Sequence, residues 1–286
     1  DTRRSTDGGT TWTEVNASSG WSARWYHSSV ALPDGSLVLM GGMGGDGIKN
    51  DTRRSTDGGT TWTEVNASSG WSARWYHSSV ALPDGSIVLM GGRDSSFTSS
   101  NDTWRSTDNG TTWTEVNASA GWSARGGHSS VALPDGSIVL MGGRDSSFTS
   151  SNDTWRSTDG GETWTQLPNA DGWSAREAHS SAALPDGSIV LMGGVDSDEN
   201  LLNDVWRLQP AGSTDRNPTH EYTTPGTYSV TLQAYSDDGY NSTLKVDYIT
   251  VTEPVPPAAN FTGTPVSGVA PLTVSFTDAS TGSPTA

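Results

Sequence analysis

The sequence contains no cysteine. That absence removes any disulfide framework, any thiol nucleophile and any Cys-ligated zinc, iron–sulfur or blue-copper site. It does not fix the compartment, because many exported proteins lack disulfides. Lysine is almost absent too: Lys49 and Lys245 are the only two among 16 basic residues, against 32 acids and a net charge of −16. Such a balance argues against nucleic-acid binding and against docking on anionic lipid. No apolar run approaches the roughly 20 residues that a membrane-spanning helix needs. Hydrophobic residues make up 32% of the chain and glycine is abundant at 34, a composition that on its own reads as linker or disordered segment. Thirteen tryptophans contradict that reading, and their spacing explains why.

The chain is built on an internal repeat. Residues 1–40 and 51–90 are identical except that Leu37 becomes Ile87, and His27, His77, His128 and His179 mark four copies. In the third copy, His-Ser-Ser-Val-Ala-Leu (128–133) leads through Pro-Asp-Gly-Ser to Ile-Val-Leu-Met-Gly-Gly (138–143). A loop then leads to Asp-Thr-Trp-Arg-Ser-Thr (153–158), a Gly-rich turn and Thr-Trp-Thr-Gln-Leu (163–167). Each piece is short, rich in β-branched and aromatic residues, and bounded by Gly, Asp, Asn or Pro, which predicts four strands per repeat. No amphipathic helical period of useful length occurs.

Four antiparallel strands in about 50 residues is the pattern of a propeller blade. The double glycines (Gly41-Gly42, Gly91-Gly92, Gly142-Gly143, Gly193-Gly194) and the Asn-Asp-Thr-Trp or Asn-Asp-Val-Trp strands at 101–104, 152–155 and 203–206 resemble the kelch repeat. Arg3 and Arg53 replace the strand tryptophan in the first two copies. Ser-x-Asp-x-Gly-x-Thr-Trp at 5–12, 55–62, 106–113 and 157–164 resembles the Asp-box of sialidase-type propellers. That resemblance implies a hairpin brace far from any active site, with the aspartate accepting backbone N–H bonds across a tight turn. The expected fold is therefore all-β: a kelch-like β-propeller over residues 1–210, about four blades in this chain. Both ends fall inside repeats, so the sequence reads as a window on a longer protein. Seventeen propeller strands are expected, and residues 1–15 either stand apart or close the blade that begins at 179.

Beyond Arg207 the composition changes. Residues 211–253 resemble the C-terminal half of a PKD domain, an immunoglobulin-like β-sandwich. After a Pro-rich linker, 254–286 resemble the opening strands of another. The central motif of that family is present in neither part.

Differences among the copies gather on one predicted face, formed by the loop after Gly-Gly and the connection before the histidine. Loops on a rigid scaffold are where binding residues collect, so Trp25, Tyr26, Trp75, Tyr76, Arg93, Phe97, Arg144 and Phe148 are the candidate ligand-binding residues. Aromatic platforms beside polar groups suit sugar rings. The repeated Arg24, Arg74, Arg125 and Arg176 read instead as braces between strands, and Trp21, Trp71, Trp122 and Trp173 as packing between blades. Asp94, Asp145, Asp196 and Asp198 offer oxygen ligands that suit Ca2+, with solvated acid as the plainer reading. The sequons at Asn16, Asn66, Asn117, Asn241 and Asn260 permit glycosylation on export, the first three toward the variable face.

The combination of kelch and PKD segments, acidic and cysteine-free, resembles cell-surface proteins of archaea, methanogens especially. It implies an extracellular, non-enzymatic structural or adhesive protein. In that picture the propeller binds other copies of itself, envelope proteins or glycans, and the PKD segments form a stalk or join subunits by strand complementation. A carbohydrate-binding module on the variable face is the alternative, and a sialidase-like glycosidase the second.

Overall fold

The strand Ile-Val-Leu-Met carries no polar residue, and a strand of that kind is stable only when covered on both faces. The computed structural model, which describes residues 1–168, 172–184, 187–208, 217–236, 239–253 and 256–282, shows how it is covered. Side chains alternate across the strand. Val38 and Met40 of one blade pack on Ile87 and Leu89 of the next. Val88 and Met90 then pack on Ile138 and Leu140, and Val139 and Met141 on Ile189 and Leu191. Each such side chain contributes roughly 1.5–3 kcal/mol by leaving water. The core is therefore a series of layers between blades.

Every regular element among the described residues is a strand. The pair β1 (Thr2–Arg4) and β2 (Thr13–Asn16) comes first, then β3 (Arg24–Trp25). The first full blade is β4 (Ser28–Ala31), β5 (Leu37–Gly44), β6 (Gly47–Ser55) and β7 (Thr63–Asn66). The second is β8 (Ser78–Ala81), β9 (Ile87–Arg93), β10 (Ser99–Ser106) and β11 (Thr114–Asn117). The third is β12 (Ser129–Ala132), β13 (Ile138–Met141), β14 (Thr154–Ser157) and β15 (Thr165–Gln166). The fourth has β16 (Ser180–Ala183), β17 (Ile189–Met192) and β18 (Val205–Leu208). Pairing within each blade follows chain order and is antiparallel. The inner strands stand side by side in the order β4, β8, β12, β16 and line an open hollow of about 330 Å³ with Val30, Val80, Val131 and Ala182. This is the all-β propeller architecture expected. The one added strand is β3, which pairs Trp25 with Met43 because the hairpin at Gly44–Gly47 extends β5.

Three local devices recur. In the Pro-Asp-Gly-Ser turn, Asp34 Oδ1 accepts from the Ser36 N–H at 2.9 Å and the Ser36 hydroxyl at 2.6 Å. In the Ser-x-Asp-x-Gly-x-Thr-Trp hairpin, Asp57 accepts from Thr61 N–H at 2.8 Å, Thr61 hydroxyl at 2.6 Å and Ser55 hydroxyl at 2.8 Å. Those bonds, Thr61 foremost, hold the Asp57 carboxyl down at about 2. At the double glycine, Gly41 and Gly42 have φ of 57° and 96°. A Cβ on Gly41 would lie 2.9 Å from Cε1 of His77 in the next blade, and one on Gly42 would lie 2.8 Å from Cβ of His27 in its own. The pair of glycines is the gap through which two successive histidines straddle the strand.

Residues 1–16 do not close the fourth blade. They lie against the first: Trp62 Nε1 donates to Thr2 Oγ1 at 3.3 Å, just as Trp113 Nε1 donates to Thr52 Oγ1 at 3.2 Å one blade later. The third position of the fourth blade belongs to β18.

The chain divides into two units, Asp1–Ser213 with Thr231–Leu244, and Thr214–Val230 with Lys245–Ala286. Beyond the blades, β19 (Gly226–Ser236) pairs with β20 (Gly239–Val251), and β21 (Phe261–Thr264) pairs with β22 (Ser275–Asp278). A bridge between Ala258 and Thr281 continues the second pair. No helix among the described residues is long and apolar enough to cross a membrane.

Candidate functional site

The repeated arginines are saturated from within. Arg74 donates through Nη1 to Gly91 O at 2.9 Å and Asp102 Oδ1 at 2.7 Å, and through Nη2 to Asp102 Oδ2 at 2.8 Å and Ser72 Oγ at 2.8 Å. Arg24 with Asp51, Arg125 with Asp153 and Arg176 with Asp204 repeat the bidentate pair. Burial pushes the Asp102 carboxyl up, but the bonds and charge of Arg74 outweigh it and hold the carboxyl below its usual range. Trp104 Nε1 adds a third donor to Asp102 at 2.7 Å. In the first blade Arg53 Nε supplies that donor to Asp51 at 2.9 Å, so the replacement of tryptophan keeps the hydrogen bond and loses the ring.

His77, His128 and His179 are buried and neutral. Burial, then the charge of the preceding arginine, pushes His77 and His128 down to about 3 and His179 to about 4. His179 Nε2 meets Ser129 Oγ of the preceding blade at 2.7 Å. No group of three or more His, Asp or Glu among the described residues is placed to hold a metal ion. Asp94, Asp145 and Asp196 each bond the backbone of their own loop: Asp94 Oδ1 accepts from Ser96 N–H at 2.8 Å and Thr98 N–H at 3.0 Å. Asp198 takes part through its backbone, donating to Asp196 Oδ1 at 2.9 Å.

The departures from repeat symmetry meet at one end of the propeller axis. There the backbone climbs from blade to blade. Tyr76 N–H donates to Tyr26 O at 3.2 Å, Gly127 N–H to Tyr76 O at 2.9 Å and Ala178 N–H to Gly127 O at 2.8 Å. All four residues have positive φ: 51° at Tyr26, 57° at Tyr76, 68° at Gly127 and 56° at Ala178. In the third blade, Gly126 and Gly127 stand where the first two blades have Trp-Tyr. A Cβ on Gly126 would lie 3.0 Å from Arg93 Cγ, and one on Gly127 would lie 2.9 Å from Glu177 Oε2. The missing side chains let Arg93 of the second blade reach Glu177 of the fourth at 3.5 Å, and Arg144 of the third reaches the other carboxylate oxygen at 3.0 Å.

Aromatic rings extend this network. Tyr26 stacks on Tyr76 with centroids 3.8 Å apart, and the Arg93 guanidinium lies 5.7 Å from the Tyr76 ring. Burial, then the Tyr26 hydroxyl, drives the Tyr76 hydroxyl far above its usual range. Trp75 touches Tyr26, Tyr76 and Phe97 at 4.7–5.6 Å, and the Arg144 guanidinium lies 5.3 Å from the Phe148 ring. A continuous line of contacts therefore runs Tyr26–Tyr76–Arg93–Glu177–Arg144–Phe148 and draws on all four blades.

The predicted residues fall into three groups. Trp25, Tyr26, Phe97 and Phe148 are 53%, 46%, 52% and 57% exposed, Trp75 and Arg93 are buried, and Tyr76 and Arg144 lie between. Trp75 supports the platform from beneath, and Arg93 holds it from within. Glu177, Gly126 and Gly127 are absent from the expected set, yet they join its halves. Their signal was the position that reads Trp-Tyr, Trp-Tyr, Gly-Gly and Glu-Ala down the four copies. Of the sequons, Asn16, Asn66 and Asn117 do not point free. Their Nδ2 atoms donate to Thr60, Thr111 and Glu162 carbonyls of the next blade at 2.6, 2.8 and 2.7 Å. Asn260 is exposed, with its backbone bonded to Ser280, and the Asn241 side chain lies outside the described residues.

The KLHDC2/KLHL20/DRC7 Kelch-repeats domain matches residues 77–237, more than half of the chain. The chain belongs to the kelch-repeat family. Kelch repeats form scaffolds for protein–protein interaction. This kelch-repeat chain is also similar to the human Multiple epidermal growth factor-like domains protein 8, at 34% identity over 110 residues. The similarity covers 35% of this chain and 4% of that protein.

Proposed function

We propose that this kelch-repeat chain is a non-enzymatic interaction module whose working surface is the axis-end face of Trp25, Tyr26, Phe97, Phe148 and the Arg93–Glu177–Arg144 network. One observation carries the reading. In a chain of near-identical repeats, the places where the repeats differ come together in space and leave large aromatic rings in solvent. The repeated arginine–aspartate pairs instead satisfy one another, as Arg74 and Asp102 do. The finer reading is an extracellular, cell-surface protein with a structural or adhesive role, whose partners are envelope components or further copies of itself. Residues 211–286, which resemble PKD segments, then serve as stalk or joining element. The Ser-x-Asp-x-Gly-x-Thr-Trp hairpins act as Asp-box braces.

The test is binding of the labelled chain to envelope preparations of the producing cells, with wild type compared to the Trp25→Ala/Tyr26→Ala double variant. Saturable binding that falls at least tenfold in the variant supports the reading. Equal binding by both overturns it.

A further inference from the structure

The loops at 93–101 and 144–152 have the same sequence, Arg-Asp-Ser-Ser-Phe-Thr-Ser-Ser-Asn. Each closes tightly on itself: Asp94 N–H donates to Thr98 O at 3.0 Å and Phe97 N–H to Asp94 O at 3.1 Å, and Asp145, Phe148 and Thr149 repeat the arrangement. The two loops are also fastened together, Ser99 N–H donating to Ser146 Oγ at 2.8 Å. At the tips, Phe97 and Phe148 sit at φ of 61° and 62°, a left-handed region unfavourable for a bulky residue. Both rings are more than half exposed.

The loop backbone does not need phenylalanine. The corresponding loop of the fourth blade keeps the same bonds, Asp196 N–H to Asn200 O at 3.1 Å and Glu199 N–H to Asp196 O at 3.2 Å. It does so with Glu199 at the tip, at φ 63°. Phe97 meets Trp75 edge-on and Phe148 lies against Arg144, but neither contact takes the ring out of solvent and turn geometry does not require it; an exposed ring held in a strained conformation is a reason to look for a ligand.

The surroundings say which ligand. Each ring is flanked by exposed hydroxyl residues, Ser96 and Thr98 beside Phe97, and Ser147 and Thr149 beside Phe148. The guanidiniums of Arg93 and Arg144 are neutralised by Glu177, Arg144 also lying 5.3 Å from the Phe148 ring, which leaves the other face of that ring for a ligand, and Asp94 Oδ1 and Asp145 Oδ1 are taken by backbone N–H groups. The loops carry no aliphatic side chain. An aromatic face bracketed by hydroxyls fits the C–H face and hydroxyl rim of a pyranose. Two such tips, on loops bonded to each other, offer one polymer chain two points of contact, and two weak sites on one ligand reinforce each other.

Building on the reading of this face as a binding surface, we infer that Phe97 and Phe148 are stacking platforms for a neutral linear polysaccharide.

The experiment is affinity gel electrophoresis of the full chain in soluble mixed-linkage β-glucan, galactomannan and xylan, with polygalacturonate as the anionic arm. At least one neutral polymer should retard the wild type. Phe97→Ala and Phe148→Ala should each weaken retardation about tenfold, and the double variant should run as in polymer-free gel. Phe97→Glu/Phe148→Glu, which copies the tip of the fourth-blade loop, keeps the fold and should lose binding equally. Retardation by no neutral polymer, retardation by polygalacturonate alone, or a double variant that binds like wild type each overturns the inference. Loss of envelope binding in the double variant without any polysaccharide binding would remove the glycan and leave the interaction surface standing.

Discussion

Arg93 and Glu177 lie 84 positions apart in sequence and two blades apart in space, yet their side chains meet at 3.5 Å across Gly126 and Gly127. Both side chains are at least nine-tenths buried, and Arg144 completes the group from the third blade at 3.0 Å. A buried carboxylate held between two guanidiniums contributes little net stability against an apolar substitute, but removing one partner leaves uncompensated charge.

Glu177→Ala should therefore destabilise the propeller by about 3–5 kcal/mol. The double variant Gly126→Trp/Gly127→Tyr, which restores the sequence of the first two blades, should act on the same network by driving side chains into Arg93 and Glu177. Thermal unfolding of both variants checks this. An unchanged midpoint in either would show that the network is not the joint described.

The braces give a second expectation. Arg74→Ala leaves Asp102 with the Trp104 bond but without its counter-ion, removes the donor to the Gly91 carbonyl, and should cost about 3–5 kcal/mol. Arg3→Ala removes pairs to Asp1 and Glu14 that are half exposed, and should cost less than about 1 kcal/mol. Urea titrations of the two variants should separate clearly. Equal effects would contradict the difference in burial.

Acid sensitivity follows from the histidines. In the folded chain His77, His128 and His179 are held at about 3 to 4, while in the unfolded chain they titrate at 6.5. Above 6.5 both states are neutral and no pH dependence arises. As the pH falls below 6.5 the unfolded state takes up protons first, so stability drops by up to about 1.4 kcal/mol per pH unit per histidine until the folded values are reached. Asp7 and Asp57, held at about 2 against an ordinary 3.8, extend the loss to lower pH. Denaturant midpoints measured from pH 7.5 to 4.5 should fall steadily below 6.5, and His128→Asn should flatten the slope. A flat profile down to pH 4.5 would rule out buried neutral histidines.

The double glycine offers a matched pair. Gly91 has φ 54°, and a Cβ there would lie 2.9 Å from the Arg125 carbonyl oxygen, which is backbone and cannot step aside. A Cβ on Gly45 would meet nothing within 4 Å. Gly91→Ala should cost about 1–3 kcal/mol and Gly45→Ala close to nothing. Comparable midpoints would mean that the histidine does not need the gap.

Much of this was legible in the sequence because the relevant physics is local. Strand limits, the Pro-Asp-Gly turn and the Asp57 hairpin depend on residues within a few positions of one another. The layering of Val38 and Met40 on Ile87 and Leu89 follows from period-2 alternation in a strand with no polar face. The Arg93–Glu177 joint was not legible. It depends on which loops the curvature of the propeller brings together, and on the absence of a side chain at Gly126. The burial of Trp75 was hidden for the same reason. Its neighbours Tyr26 and Phe97 come from another blade and another loop, so the same dipeptide lies exposed at Trp25 and covered at Trp75.

The departure at Arg53 gives the last expectation. Arg53 Nε and Trp104 Nε1 make the same bond to the aspartate two residues before them, at 2.9 and 2.7 Å. Both side chains also run to equivalent glycines: Arg53 reaches the Gly20 carbonyl at 3.5 Å, and the Trp104 ring lies 3.6 Å from the Cβ position of Gly70. Space for an indole is therefore present in the first blade. Arg53→Trp gives up the surface pair with Glu64, worth at most about 1 kcal/mol, and one of the two guanidinium charges beside Asp51, which keeps its pair with Arg24 and receives the indole N–H in place of Nε. It gains apolar burial on the Leu37 and Leu39 side of the first blade, the counterpart of the Ile87 and Leu89 side that Trp104 meets. The variant should be more stable than wild type by about 1–2 kcal/mol, and Trp104→Arg less stable by a similar amount. A lower unfolding midpoint for Arg53→Trp would mean that Glu64 and the arginine fix the outer strand in a way the indole cannot replace.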